Sequence, residues 1–218
     1  MESSKSEILF SLLTAFLYHC FLSITMDTLF PINPVTPEGF SYIPEFLSMA
    51  EEEKLLHEIK EVQLHTFQFQ GYEAKRKVKS FGYDYNFNQR SITKGEPIPE
   101  GFDFLLQKIS DKLNIDKERF AELLVTEYPV GSVINWHRDA PPFELIAGIS
   151  LSSDCTFRLR PYDKEKQGRK SIISLPVKRR SLYVIDGASR SEWEHSITPV
   201  KAVRYSITLR TLRNDAQH

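Results

Sequence analysis

The sequence predicts an α+β domain: a jelly-roll core, wound as a double-stranded β-helix, with N-terminal helices packed on one sheet. Three observations lead there. Amphipathic helical periodicity is confined to the part of the chain before Leu123. From Leu123 onward, short apolar runs alternate with turns at spacings typical of a sandwich or small barrel. The 218 residues, 41% hydrophobic and 26% charged, suffice for one well-cored domain and are few for two. Helices first and many short strands afterwards is the order of an α+β chain.

The elements follow in order. Residues 8–25 are almost continuously apolar, which raises a membrane anchor or a signal-peptide core. Glu2, Lys5 and Glu7 do not make a positive n-region, and no small-x-small cleavage pattern precedes Met26. An upstream start or a dispensable extension over 1–25 is the expectation, with the domain over 26–213 and a tail over 214–218. Phe40, Tyr42 and Ile43 suggest a short strand. Ser48-Met-Ala-Glu51 has the capping-box pattern and opens a helix with Leu55, Leu56, Ile59 and Val62 on one side. Residues 67–90, rich in aromatic and basic side chains, read as extended. Pro97 and Pro99 lead into a second helix striped by Phe102, Leu105, Leu106, Ile109 and Leu113. Strands are expected at 123–128, 133–136, 145–151, 156–160, 170–175, 181–185 and 204–212.

Bulk properties exclude some functions. A net charge of −1 rules out a uniformly basic nucleic-acid binder, though not local basic patches. Two cysteines, Cys20 and Cys155, make neither a disulfide framework nor a zinc cluster, which suits a reducing cytoplasm. Cys155, in an apolar run, reads as a buried structural thiol. Nothing demands more than a monomer.

The chemistry lies in a His-x-Asp pair, His137 and Asp139, answered far along the chain by His195. One intervening residue puts His137 and Asp139 on the same side of a strand, with Trp136 and Arg138 on the other. Two imidazoles and one carboxylate on one face of a metal leave the opposite positions open. That ligand set belongs to non-heme Fe(II) oxygenases, where O2 and a co-substrate share the iron. In Arg204-Tyr-Ser-Ile-Thr-Leu-Arg210, strand alternation puts Arg204, Ser206, Thr208 and Arg210 on one face. A cationic fork there suits the carboxylates of a dicarboxylic acid such as 2-oxoglutarate. The alternative, a surface strand with solvated charges, does not explain two arginines recurring on one face of an otherwise apolar strand.

Asn135-Trp-His-Arg-Asp, Ser189-Arg-Ser-Glu-Trp-Glu-His195 and Arg204-Tyr-Ser-Ile-Thr-Leu-Arg210 together resemble the motifs of the AlkB family of Fe(II)/2-oxoglutarate-dependent dioxygenases. Leu124-Val-Thr-Glu-Tyr128-Pro and Ser80-Phe-Gly-Tyr-Asp-Tyr-Asn-Phe87 resemble upstream family segments, so the likeness runs over residues 40–213. It implies His137, Asp139 and His195 as iron ligands. Arg204 would pair with the distal carboxylate of 2-oxoglutarate, and Arg210 would lie near the proximal carboxylate and the aspartate ligand. Tyr128 would contact the co-substrate through its hydroxyl. Two family asparagines are Thr126 and Ser206 here; both keep a hydroxyl for hydrogen bonding. The stretch from His195 to Arg204 is short for the family. The activity implied is oxidative demethylation of N-alkylated bases in single-stranded DNA or RNA, yielding succinate, CO2 and formaldehyde.

Such a substrate base must leave the stack and enter a pocket. Residues 71–90 are the candidate lid. Lys75, Arg76, Lys77 and Lys79 could meet phosphates, and Phe81, Tyr83, Tyr85 and Phe87 alternate, so that one strand face could stack a base. The plainer reading is a half-buried edge strand, aromatic rings in the core and lysines in water. Lys178-Arg-Arg180 reads as solvated charge at a strand entry, and Arg158 with Arg160 stays open between backbone contact and surface. Two other functions fit parts of the pattern: the same iron chemistry on a protein side chain or small metabolite, and a non-catalytic nucleic-acid-binding module. The second has no use for the triad and both arginines.

Overall fold

A computed structural model describes residues 35–69, 71–86 and 89–213. The apolar extension, Phe87 and the C-terminal tail lie outside the described residues. Among those described, no helix is long and apolar enough to cross a membrane.

Two antiparallel sheets face each other. The larger contains β1 (Phe40–Ile43), β2 (His65–Phe69), β3 (Tyr72–Asn86), β5 (Phe120–Tyr128), β7 (Phe143–Leu151), β10 (Leu182–Ile185) and β12 (Arg204–Leu212). Their order is β1-β10-β7-β12-β5-β3-β2, and β4 (Ser91–Lys94) pairs with β3. The smaller sheet contains β6 (Ile134–His137), β8 (Cys155–Pro161), β9 (Ile173–Val177) and β11 (Trp193–Ile197), in the order β6-β11-β8-β9. This is the expected jelly roll. β5 begins three residues before the expected position, and β9 begins three residues after it. Arg169–Ser171 wind into a 3-10 turn, which removes the first residues expected of β9.

The helices cover the outer face of the larger sheet, as expected. Helix α1 (Met49–Glu61) starts at a full capping box: Glu51 N–H donates to Ser48 Oγ at 3.2 Å, and Ser48 N–H donates to Glu51 Oε2 at 2.7 Å. Helix α2 (Asp103–Leu113) ends at Asn114, which takes the left-handed conformation that a short polar side chain tolerates. Leu55, Ile59, Leu105 and Ile109 pack with Leu123, Val125, Ile149, Ile207 and Leu209 of the sheet. Lys108 Nζ lies 2.6 Å from Glu51 Oε1 and ties the two helices.

Arg179 departs from the solvated charge expected of its cluster. It donates to the buried carboxylate of Glu52 on α1, which also accepts the Ser152 N–H at 2.9 Å. Its neighbour Lys178 does remain at the surface, paired with Asp154.

The second core lies between the sheets: Phe40, Phe143, Ile146, Phe157, Leu159, Leu175, Val177, Tyr183 and Ile185. Cys155 is buried there, and burial raises its thiol pKa, as suits a structural cysteine. Gly148 permits this packing, because a Cβ on it would collide with the Tyr183 ring. Strand register sets rows across the inner face of the larger sheet. Val78, Thr126, Ser206 and Ser150 form one row; Gly82, Glu122, Arg210 and Ile146 form another.

Candidate metal centre

His137 of β6 stands directly opposite His195 of β11. Their ring centroids are 4.2 Å apart, and Phe157 stacks on His195 from within the inter-sheet core. Asp139, in the loop after β6, brings Oδ2 to 3.5 Å from His195 Nε2. One ligand atom from each of the three lies within 4.8 Å of the others, close enough for one ion to be held by all. His137 Nδ1 sits 2.9 Å from the Asn135 carbonyl. A carbonyl only accepts, so that bond places the proton on Nδ1 and the lone pair on Nε2.

The electrostatics suit a cation. Burial first, then the neighbouring His137, depresses the His195 pKa to about 3, so the ring is neutral with a lone pair to give. Burial alone would raise the Asp139 carboxyl. Arg210, then the two histidines, outweigh it and hold the group well below the usual carboxylate range. Arg210 donates from Nε at 3.0 Å and Nη2 at 2.6 Å, both to Asp139 Oδ1. Its Nη1 reaches Glu122 Oε2 at 2.5 Å, and Ser80 Oγ donates to the other Glu122 oxygen at 2.8 Å.

Beside this centre lies a polar cradle. Arg204 is completely buried. Its Nε donates to Ser150 Oγ at 2.9 Å, and the Tyr128 ring lies 4.9 Å from the guanidinium carbon. Ser206 Oγ is 3.5 Å from the Tyr128 hydroxyl. Arg204 Nη1 and Nη2 have no hydrogen-bond partner among the described residues. An orphaned pair of buried cationic donors is costly unless an anion completes it. The fork therefore fits a carboxylate, and the row beneath it supplies the hydroxyls of Thr126 and Ser206.

The lid residues divide. Gly82 adopts φ +82°, a Cβ there would collide with the Ala121 carbonyl, and the strand's alternation breaks at this point. Phe81 is buried in the helix-side core, whereas Tyr83 and Tyr85 pack on the inter-sheet core. The shared aromatic face expected of Phe81, Tyr83 and Tyr85 is thus corrected for Phe81. Lys77 is corrected too. It pairs with Glu127 at 3.2 Å beside Tyr205 and the end of α1, on the face opposite Tyr128. Lys79 pairs with Glu96. Arg76 points the other way: its guanidinium stacks 3.9 Å from the Phe67 ring, and burial lowers its pKa against the opposing pull of Tyr128. Arg158 and Arg160 flank Trp136 on the outside of the smaller sheet, and Arg160 pairs with Glu194.

Sequence reasoning missed Glu122, Ser150 and Arg190. Glu122 had a detectable signal, since it shares strand parity with Thr126 and Tyr128. Arg190 sits on the short helix α3 (Gly187–Ser191). Its Nη2 donates to the carbonyls of Asp139 at 3.1 Å, Ala140 at 2.8 Å and Phe143 at 2.9 Å. Nothing in one sequence reveals that a buried arginine holds a remote loop.

A family model described as the 2OG-Fe(II) oxygenase superfamily matches residues 39–211. The chain belongs to that superfamily. Among curated relatives of this oxygenase is the mouse (Mus musculus) tRNA (carboxymethyluridine(34)-5-O)-methyltransferase ALKBH8. It is 33% identical over 171 residues, which are 76% of this chain and 25% of the relative. An Arabidopsis thaliana relative named alkylated DNA repair protein ALKBH8 homolog is 29% identical over 214 residues, 81% of this chain and 59% of that protein. The oxygenase therefore spans only about a quarter of the mouse protein and somewhat over half of the plant one. The solved structure of OsALKBH1 superimposes with a TM-score of 0.65 at 15% identity, covering 83% of this chain and all of that one. The oxygenase is AlkB-like, an Fe(II)- and 2-oxoglutarate-dependent dioxygenase that uses O2.

Proposed function

We propose that this oxygenase removes N-linked methyl groups from alkylated bases in single-stranded nucleic acid, a repair activity. The observation that carries the reading is the pairing of a three-ligand metal centre with an incomplete buried arginine fork beside the same inter-sheet core. The nucleic-acid substrate is supported by the relatives' names, one concerned with tRNA and one with alkylated DNA.

In this reading His137 and His195 would each offer the metal a ring nitrogen and Asp139 a carboxylate oxygen. Iron with 2-oxoglutarate and O2 supplies the oxidation of an unactivated C–H bond. Arg204 neutralises the far carboxylate of 2-oxoglutarate, and the hydroxyls of Tyr128 and Ser206 fix its orientation. Arg210 keeps Asp139 ionised. Phe143, Phe157 and Leu159 line the space between the sheets and exclude water. Overall, 2-oxoglutarate and O2 give succinate and CO2, and one oxygen atom converts N–CH3 to N–CH2OH. The hydroxymethyl amine then loses formaldehyde and leaves N–H. Tyr83 and Tyr85 offer the rings for an extruded base.

The deciding experiment supplies the protein with Fe(II), 2-oxoglutarate and a single-stranded oligonucleotide carrying N1-methyladenine or N3-methylcytosine. Formaldehyde released in step with succinate, and lost in His137→Ala, is the expected result. Succinate without formaldehyde from any methylated oligonucleotide would overturn the demethylase reading and leave the oxygenase to a protein side chain or metabolite.

A further inference from the structure

Arg210 meets Asp139 in an unsymmetrical way. Both donors, Nε and Nη2, converge on Oδ1, and Oδ2 is left facing His195. A guanidinium more often meets a carboxylate fork to fork, two nitrogens taking one oxygen each, whether side-on through Nε and Nη2 or end-on through Nη1 and Nη2. Either pairing would occupy Oδ2 and deprive the metal centre of its oxygen donor. The end-on edge is unavailable here because Nη1 is held by Glu122 Oε2, and Glu122 is held by Ser80. Register makes the arrangement rigid: Glu122 lies directly across β5 from Arg210 on β12, and Gly82 of β3 lies directly across from Glu122.

We infer that Glu122 is a positioning residue that, by holding Nη1, fixes Arg210 where Nε and Nη2 both meet Oδ1 and so reserves Asp139 Oδ2 for the metal. The inference rests on the reading of His137, Asp139 and His195 as the metal ligands. Glu122 touches neither a ligand atom nor the substrate; it acts through Arg210. What matters is an acceptor oxygen at that distance from Nη1 rather than a negative charge. Glutamine retains such an oxygen, and Ser80 can reverse its hydroxyl to accept from the amide nitrogen. Aspartate retains the charge but falls one methylene short.

The test is a titration of the full chain with Co(II), read from its visible absorption, together with the 2-oxoglutarate KM and a thermal melt. Glu122→Ala and Glu122→Asp should weaken Co(II) binding at least tenfold, within the range for lost partners of metal ligands. Glu122→Gln should stay within about threefold of the parent, and the 2-oxoglutarate KM should move far less than in Arg204→Ala, because Arg204 lies elsewhere along β12. If Glu122→Ala does not fold, the ranking of Gln above Asp carries the test. Asp binding as the parent does while Gln loses the metal would overturn the positional argument in favour of charge. Unchanged Co(II) affinity in folded Glu122→Ala or Glu122→Asp, with only the melt affected, would reduce Glu122 to a structural residue. If the parent chain binds no Co(II), the metal assignment itself has failed, an outcome distinct from either of these.

Discussion

Arg204 and Tyr128 face each other across β12 and β5, with the guanidinium carbon 4.9 Å from the ring centre and two guanidinium nitrogens facing no partner among the described residues. A cation so thoroughly removed from water is stable only with an acceptor to complete it. Arg204→Ala should therefore cost about 2–3 kcal/mol of 2-oxoglutarate binding, roughly 30- to 150-fold in KM. Affinity for an oligonucleotide should hardly change. Superimposable 2-oxoglutarate saturation curves for the two proteins would remove Arg204 from the co-substrate site.

The break in alternation at Gly82 separates two aromatic residues that look equivalent in sequence. Phe81 is buried among helix-side residues, so Phe81→Ala should destabilise the fold by about 3–5 kcal/mol. Tyr83 packs on the inter-sheet core and is only partly buried. Tyr83→Ala should raise the oligonucleotide KM by about 5- to 150-fold, the loss of one stacked base. Its denaturation midpoint should fall less than that of Phe81→Ala. The reverse pattern would mean that the lid lies elsewhere.

That same glycine shows where the sequence stops being legible. His137 and Asp139 could be placed on one face because nothing interrupts the short strand before them, and Arg204 to Arg210 because β12 runs regularly. Two-residue periodicity carries through both. Beyond Gly82 the period persists but its phase is reversed, so counting back from Tyr83 assigns the wrong face to both Phe81 and Lys77. β9 moved for a related reason: Arg169–Ser171 satisfy their backbone in a 3-10 turn instead of a ladder. Arg179 and Arg190 were illegible in another sense. Their partners, Glu52 and the carbonyls after Asp139, are brought to them only by the closed fold.

Glu51 gives a stability test governed by pH. Its pKa is lowered first by the Lys108 hydrogen bond and then by the Ser48 N–H of the capping box. A carboxyl depressed in the folded state contributes stability above its unfolded value, and that contribution is lost as pH falls through the folded one. Glu51→Gln should thus be less stable than the parent at pH near 7, by about 0.5–1 kcal/mol for a partly exposed pair and cap. The gap should close as the solution is acidified below the ordinary glutamate range. Urea midpoints compared across pH would show it, and a gap that holds constant into acid would contradict the cause assigned.

Arg190 anchors the loop that presents Asp139. Three carbonyls converge on its Nη2, and the side chain is buried, with Asp139 supporting a charge that burial opposes. Truncation to leucine would leave those carbonyls without a donor in a place water reaches poorly, which costs about 2–4 kcal/mol of stability. The loop would also be free to rotate Asp139 away from the two histidines. Arg190→Leu should therefore lower the denaturation midpoint and, in the fraction that folds, weaken Co(II) binding by roughly tenfold or more. Arg190→Lys keeps a charge and enough N–H donors for the three carbonyls but lacks the fixed planar guanidinium that packs and aims them, and should fall between the two. A folded Arg190→Leu with parental metal affinity would show that the turn holds Asp139 unaided, and that Arg190 secures the loop without tuning the centre.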